Sequence, residues 1–414
     1  MIKRFESNCS HDKFIYPRSI QLICGCVGML FIGIIFSWSS IKVPLREELH
    51  YTAQQLAVTY TVSLCFFCIG NLITGLTLKR LGFRLLGALS AALIVSGFSL
   101  TAGISAPSPV LLCAFYGAAV GSGIGICYNC ILSTASAWFP DKKGMCSGLL
   151  MMCFGISSML WSRLALWLFD TPAIGWRGCY TIIGVATACI VILCALIMHF
   201  PANNVTLLGT KPSSDNKNAI SEHSYTGKEV LRMPSFWFYY LYGICTAAVG
   251  TTVLSFVMDA AKALGASDAL GASMVGIAAM GNGLGRVLCG LTYDRFGRKR
   301  TFLFANCVTV AAPALMLIAL PSKSLFLAGI SFLLSGLSFG CCPTISSALM
   351  SSFYGMKYFP INYSLSNSKM IFSSLGASCA GVLLDRCGGY AVPYIMLLTL
   401  SICACFLCRF IKKP

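Results

Sequence analysis

Residues Gly281 to Arg300 read GNGLGRVLCGLTYDRFGRKR. The stretch begins as an apolar helix and ends in a basic cluster. One guanidinium, Arg286, stands well before that cluster, between Gly285 and Val287. A charge in such a segment is expensive, so it demands a partner or a purpose. The chain around it has the same apolar character. Of 414 residues, 57% are hydrophobic and 10% are charged, and the mean hydropathy is +0.79. A soluble domain is about a quarter charged. A helix that crosses a hydrocarbon core needs about 20 apolar residues. Twelve such runs are present, roughly 20–41, 55–78, 85–103, 109–134, 147–169, 177–200, 235–259, 270–292, 300–320, 325–350, 363–385 and 390–410. They are called spans 1 to 12 below. Helices are the expected form, because lone strands would leave backbone groups unsatisfied in lipid. The alternation of a membrane barrel is absent.

A net charge of +17 raises the question of nucleic acid. The distribution argues against that partner. Of the 30 Lys and Arg, 21 fall in the termini and in the loops after even-numbered spans, and six in the loops on the other side. This is the positive-inside bias, and it predicts that both termini are cytoplasmic in a plasma or inner membrane. The first span has no small-residue cleavage pattern after it and is expected to remain. The 23 cysteines are scattered through the apolar runs. Cys65–Cys68 and Cys127–Cys130 have C-x-x-C spacing, without the further ligands that a zinc site needs. Packing is the expected role, and neither metal nor cofactor is expected. No nucleophile–base set stands out, so the chain does not read as an enzyme.

The chain divides in two. Residues 201–233 form its one long polar stretch and read as a cytoplasmic linker between six-span halves at 1–200 and 234–414. The halves echo one another. GLTLKRLGFR (Gly75–Arg84) follows span 2, and GLTYDRFGRKR (Gly290–Arg300) follows span 8. WFPDKKGMCSG (Trp138–Gly148) follows span 4, and YFPINYS (Tyr358–Ser364) follows span 10. The expected fold is an all-α membrane protein with twelve transmembrane helices in two pseudo-symmetric halves. Carriers built from such repeats place their site at the repeat interface near mid-membrane. Gly281, Gly283 and Gly285, like Gly121, Gly123 and Gly125, mimic a nucleotide-binding fingerprint, but no strand precedes either group. Close helix packing is their expected role.

The loop after span 8 resembles the signature of the major facilitator superfamily, through Gly290, Asp294, Arg295, Gly297, Arg298 and Lys299. The resemblance implies a cytoplasmic gate in which the acid caps a neighbouring helix. The first-half copy carries Lys79 at the acidic position. FSWSSIKVPLREEL (Phe36–Leu49), GSGIGICYNCILSTASAWFPDKKG (Gly121–Gly144), NGLGRVLCGLTYDRFGR (Asn282–Arg298) and YGMKYFPINYSLSNSKMIFSSLGASCAG (Tyr354–Gly381) are similar to the oxalate/formate antiporter branch. Phe36, Ser364 and Arg163 depart from its pattern.

Away from the span ends, only Arg163, Arg286 and Lys369 place a positive charge inside a span, and no acid does, since Asp170, Asp259 and Asp385 sit at helix ends. Each central cation costs about 2.5–3.5 kcal/mol on insertion scales. Arg286 lies six residues before the end of span 8, and Lys369 six residues after the start of span 11. Both therefore lie at similar depth, about 9 Å inside the helix ends. The resemblance implies that these two hold the substrate carboxylates, Arg286 as a fork and Lys369 as a compact charge. Trp38, Tyr60, Tyr128 and Tyr240 are expected to line the cavity. Arg163 is expected to snorkel or to pair with Asp170. The function implied is carboxylate exchange by a monomeric carrier. A lactate or pyruvate carrier, proton-linked or not, and a transporter-like sensor remain as alternatives. Asn282 stands one turn before Arg286, where monocarboxylate carriers place an acid.

Overall fold

The computed structural model describes residues 18–140, 142–169, 171–201 and 224–414. Most of the polar linker lies outside the described residues, as do Asp170 and the side chain of Arg163. Among the described residues every regular element is helical.

Spans 2 and 3 form one helical run, Ala53–Ala102, and spans 8 and 9 form another, Asp268–Ser322. Straight helices of that length would reach about 75–83 Å, more than twice a hydrocarbon core of about 30 Å. One residue breaks each run. Gly82 has φ 72° and ψ 169°, and Gly297 has φ 76° and ψ 177°. A side chain disfavours such positive φ, so glycine stands there. Gly82 and Gly297 are 215 residues apart, as are Gly75 and Gly290. The repeat seen in sequence is thus a repeat of backbone geometry. Span 4 is Pro109–Trp138, with a π-helical turn at Cys113–Val120, and span 10 is Leu325–Tyr354.

Packing within the halves repeats as well. Gly121 and Gly125 of span 4 press on the backbone of Ser63 and Phe67 in span 2. Gly336 and Gly340 of span 10 press on Ala278 and Asn282 in span 8. Gly281 and Gly285 lie against Leu333 and Leu337 of span 10, while Gly283 makes only ordinary contacts. A methyl at the tight positions would overlap a neighbouring carbonyl, so small residues set the helix separation.

Span 11 differs from its sequence reading. It is not one helix over 363–385 but three pieces, Phe359–Asn367, Lys369–Ser373 and Leu375–Cys387. Serines explain the breaks. Ser368, Ser373 and Ser374 each donate to a carbonyl three residues back. Such local bonds compete with the helical ladder. Lys369 stands at the first break. The helix Gly227–Arg232 begins within the expected linker, is closed by a capping box from Thr226 and Glu229, and meets span 11 at Ile361 and Leu365.

Candidate functional site

The halves meet at the face that carries the basic loops. There span 2 touches span 11, and span 8 touches span 5. Gly75 lies against Pro360 and Ile361, and Gly290 against Gly144. Asp294 accepts N–H bonds from Gly144 (3.0 Å) and Met145 (2.7 Å), at the first turn of the helix Lys143–Phe169. Arg295 and Arg298 point elsewhere, toward the rings of Phe296 and Phe353 at 5.3 and 5.0 Å. Deeper in, Asn129 of span 4 donates to Pro360 (3.1 Å) and Ser364 (2.7 Å) of span 11. Tyr128 shares a 2.9 Å hydrogen bond with Tyr363, again from one half to the other.

Arg286 is 3% exposed. Its Nε donates to Asn282 Oδ1 at 3.3 Å, one turn back on its own helix. Its Nη1 crosses the seam and donates to the carbonyl of Met151 in span 5. Gly155, one turn further along span 5, leaves room for the guanidinium. The charge acts electrostatically on Tyr128 and Tyr363. Phe67 and Phe154 pack on Tyr128 at 5.3 and 4.8 Å, so the guanidinium lies beside an aromatic group.

Lys369 is 1% exposed. Its Nζ donates to Tyr239 (3.3 Å), Ser366 (3.4 Å) and Ser346. Three ammonium protons thus meet three hydroxyl oxygens. The ammonium also lies 4.8 Å from the centre of the Tyr239 ring, an attractive arrangement for a cation. Gly243 makes space for the lysine stem. Among the described residues, no carboxylate meets either cation.

Span 10 serves as a ruler for their depth. Thr344 bonds the backbone carbonyl of Arg286 at 3.4 Å, and Ser346 bonds the tip of Lys369. Two residues of helix are about 3 Å of axis. The backbone of Arg286 and the ammonium of Lys369 therefore stand at nearly one height, on different sides of span 10. Arg286 is at the seam between the halves, and Lys369 is inside the C-terminal half.

The expected aromatics divide into two groups. Tyr128 lies in the field of Arg286, and Tyr240 bonds Ser368, the neighbour of Lys369, at 2.9 Å. Trp38 and Tyr60 belong to another cluster. Trp38 donates to the Leu56 carbonyl (3.1 Å) and packs on Tyr116 at 4.3 Å. Tyr60 interacts electrostatically with the same Tyr116. Tyr116 precedes Tyr128 by twelve residues, about 18 Å along the axis. This group sits toward the opposite membrane face. Sequence reasoning passed over Tyr239, Ser346 and Tyr363. Tyr239 adjoins Tyr240, and the serine-rich face of span 10 was a visible signal for the hydroxyls that solvate a buried ammonium.

The chain and its fold have known relatives. The description "Major Facilitator Superfamily" matches residues 23–368. YhjX of Escherichia coli K12, an uncharacterized MFS-type transporter, is 25% identical over 349 residues, covering 84% of this chain and 83% of the relative. The oxalate:formate antiporter of Oxalobacter formigenes is 23% identical over 371 residues, covering 89% and 84%. A solved variant of the E. coli fucose:proton symporter FucP superposes with TM-score 0.69 at 16% identity, covering 96% of this chain and all of that one. Its likeness concerns the fold. With a family match over most of its length and a twelve-helix fold in two halves, the chain belongs to the major facilitator superfamily and is a multi-pass membrane transporter.

Proposed function

We propose that this transporter exchanges small carboxylates, of the oxalate and formate type, by alternating access. The observation that carries the reading is the pair of buried cations, Arg286 and Lys369, without a carboxylate partner among the described residues. The likeness to an oxalate:formate antiporter supports the same substrate class. In this reading the basic face is cytoplasmic, both termini lie there, and the carrier works as a monomer in a plasma or inner membrane.

The chemistry follows from the donors. A carboxylate at the seam replaces the Met151 carbonyl on Arg286 and takes two parallel N–H bonds, which a neutral carbonyl cannot do. A second carboxylate draws on Lys369, whose three hydroxyl partners hold the ammonium in place. Tyr128 and Tyr363, bonded to each other across the seam, form the wall beside Arg286. A dianion neutralises both charges and lets the halves rock around it. A monoanion neutralises one and supports the return. An unloaded site must enclose charges that cost about 2.5–3.5 kcal/mol each, so exchange is favoured over net flow. Asn282 accepts from Arg286 where an acid would neutralise it, which favours this reading over a lactate or pyruvate carrier.

The test is labelled oxalate uptake into proteoliposomes loaded with oxalate, with formate or with neither. Wild type is expected to take up label only against a counter-anion. Arg286→Ala and Lys369→Ala are expected to lose exchange. Uptake of lactate or pyruvate in place of oxalate transfers the assignment to monocarboxylates. Fast uptake into unloaded vesicles rules out obligatory exchange.

A further inference from the structure

A groove of about 750 Å³ runs down the outside of the C-terminal half between spans 9 and 12. Its lining includes three cations, Arg298, Lys299 and Arg409, and no acid. Its walls are apolar, from Phe302 and Leu303 down to Val310 and Ala311. Arg298 Nη1 is buried yet has no hydrogen-bond partner, and Asn306 Oδ1 in the same groove also has none. The Phe353 ring, 5.0 Å from the Arg298 guanidinium, holds it in position.

The groove has the proportions of a lipid. Arg298 and Lys299 follow the break at Gly297, and Arg409 follows the end of the helix Ala391–Cys408, so all three cations gather at the basic face. From Arg298 to Ala311 is about 20 Å of helix axis. That length holds a headgroup and most of one leaflet's share of a core about 30 Å thick. The apolar wall opens toward the bilayer, with Leu303 64% exposed. Basic pockets between spans at this face suit anionic headgroups, and an unpartnered guanidinium N–H is a donor that a phosphate oxygen completes.

We infer that this groove binds one anionic phospholipid. Its phosphate sits among Arg298, Lys299 and Arg409, and one acyl chain lies along the wall from Phe302 to Ala311. The inference is independent of the anion the carrier moves.

The full chain, purified in detergent, is mixed with equal amounts of dioleoyl phosphatidylglycerol and dioleoyl phosphatidylcholine, and bound lipid is read by native mass spectrometry. Wild type is expected to retain the anionic lipid about tenfold over the zwitterionic one. R298Q/K299Q/R409Q is expected to retain both equally. R84Q/R300Q/K412Q removes as much charge from the same face outside the groove lining, and is expected to keep the preference. Glycerol 3-phosphate, a headgroup without chains, is expected not to displace the lipid. Should the groove triple variant fail to fold, R409Q alone is expected to lower the preference two- to threefold. Equal retention by wild type, equal loss in the two triple variants, or displacement by glycerol 3-phosphate overturns the inference.

Discussion

The two contacts that close the basic face share a backbone plan and differ in chemistry. Where span 8 meets span 5, Asp294 accepts from the N–H groups of Gly144 and Met145. Where span 2 meets span 11, the equivalent Lys79 lies 4.1 Å from the centre of the Tyr358 ring. Tyr358 is the residue just before the helix Phe359–Asn367. A carboxylate at a helix start gains from the dipole and the free N–H groups, by about 0.3–1 kcal/mol. A lysine there is opposed by the same dipole and leans on the ring instead. Burial and the neighbouring Lys357 push the Lys79 pKa down. The same inequality recurs deeper in the membrane. Asn71 occupies the position of Arg286, 215 residues earlier, and its carbonyl accepts from Asn129 and Ser364. Repetition of backbone has therefore not imposed repetition of charge. The C-terminal half carries Arg286, Lys369 and Asp294, and the N-terminal half answers Arg286 with backbone and rings.

The comparison can be broken at several points. The largest effect is expected at the charged seam. Arg286→Lys keeps the charge and loses the fork, and exchange should fall about a hundredfold. Retention of wild-type rates would show that charge alone suffices. Next come the two contact glycines. Gly290→Leu should lower exchange about tenfold or more, because its side chain would strike the Gly144 backbone. Native Cys146 and Cys289, both fully buried, then become reactive to maleimide. Gly75→Leu should do less, since part of its obstruction is the Ser364 hydroxyl. Equal effects would mean that the two contacts close with equal strength.

Smaller changes sharpen the contrast. Asp294→Asn should raise Cys146 labelling a few-fold, in line with the loss of one capping charge. Lys79→Asp should lower it, by restoring an acid at the second helix start. An increase instead would mean that the contact of Lys79 with Tyr358 outweighs a cap. The smallest effects separate the two aromatic groups. Tyr128→Phe should raise the KM for oxalate a few-fold, since one buried hydrogen bond is worth about 1 kcal/mol. Trp38→Phe should change it less than about twofold, because Trp38 packs on Tyr116 about 18 Å away along span 4.

The fold was legible because lipid simplifies the code. Apolar runs of the right length, a basic bias on one side and the paired GLT motifs are all one-dimensional signals. Arg286 and Lys369 were legible for the same reason, as charges in apolar runs. Their surroundings were not. Tyr239 and Tyr240 are neighbours in sequence and about 100° apart on a helix, and hydropathy does not tell which one faces Lys369. Tyr363 marked a span boundary in the sequence, and in the structure it bonds Tyr128 across the seam. The breaks in span 11 depend on how each serine hydroxyl rotates. The lipid-sized groove arises from two spans about a hundred residues apart, whose contact no local pattern encodes.

Gly82 and Gly297 leave another mark on the molecule. Each joins two long helices through a single non-helical residue, so spans 2 and 3 share one elbow and spans 8 and 9 another. An elbow of one residue has no slack. Tilting either arm drags its partner, and each pair behaves as a bent lever. The flexing that alternation requires must be taken up elsewhere, and the serine-softened joints on either side of Lys369 are where the C-terminal half can yield. A peptide tag inserted at either elbow would uncouple the lever, whereas the same tag beyond Pro414 leaves both levers intact.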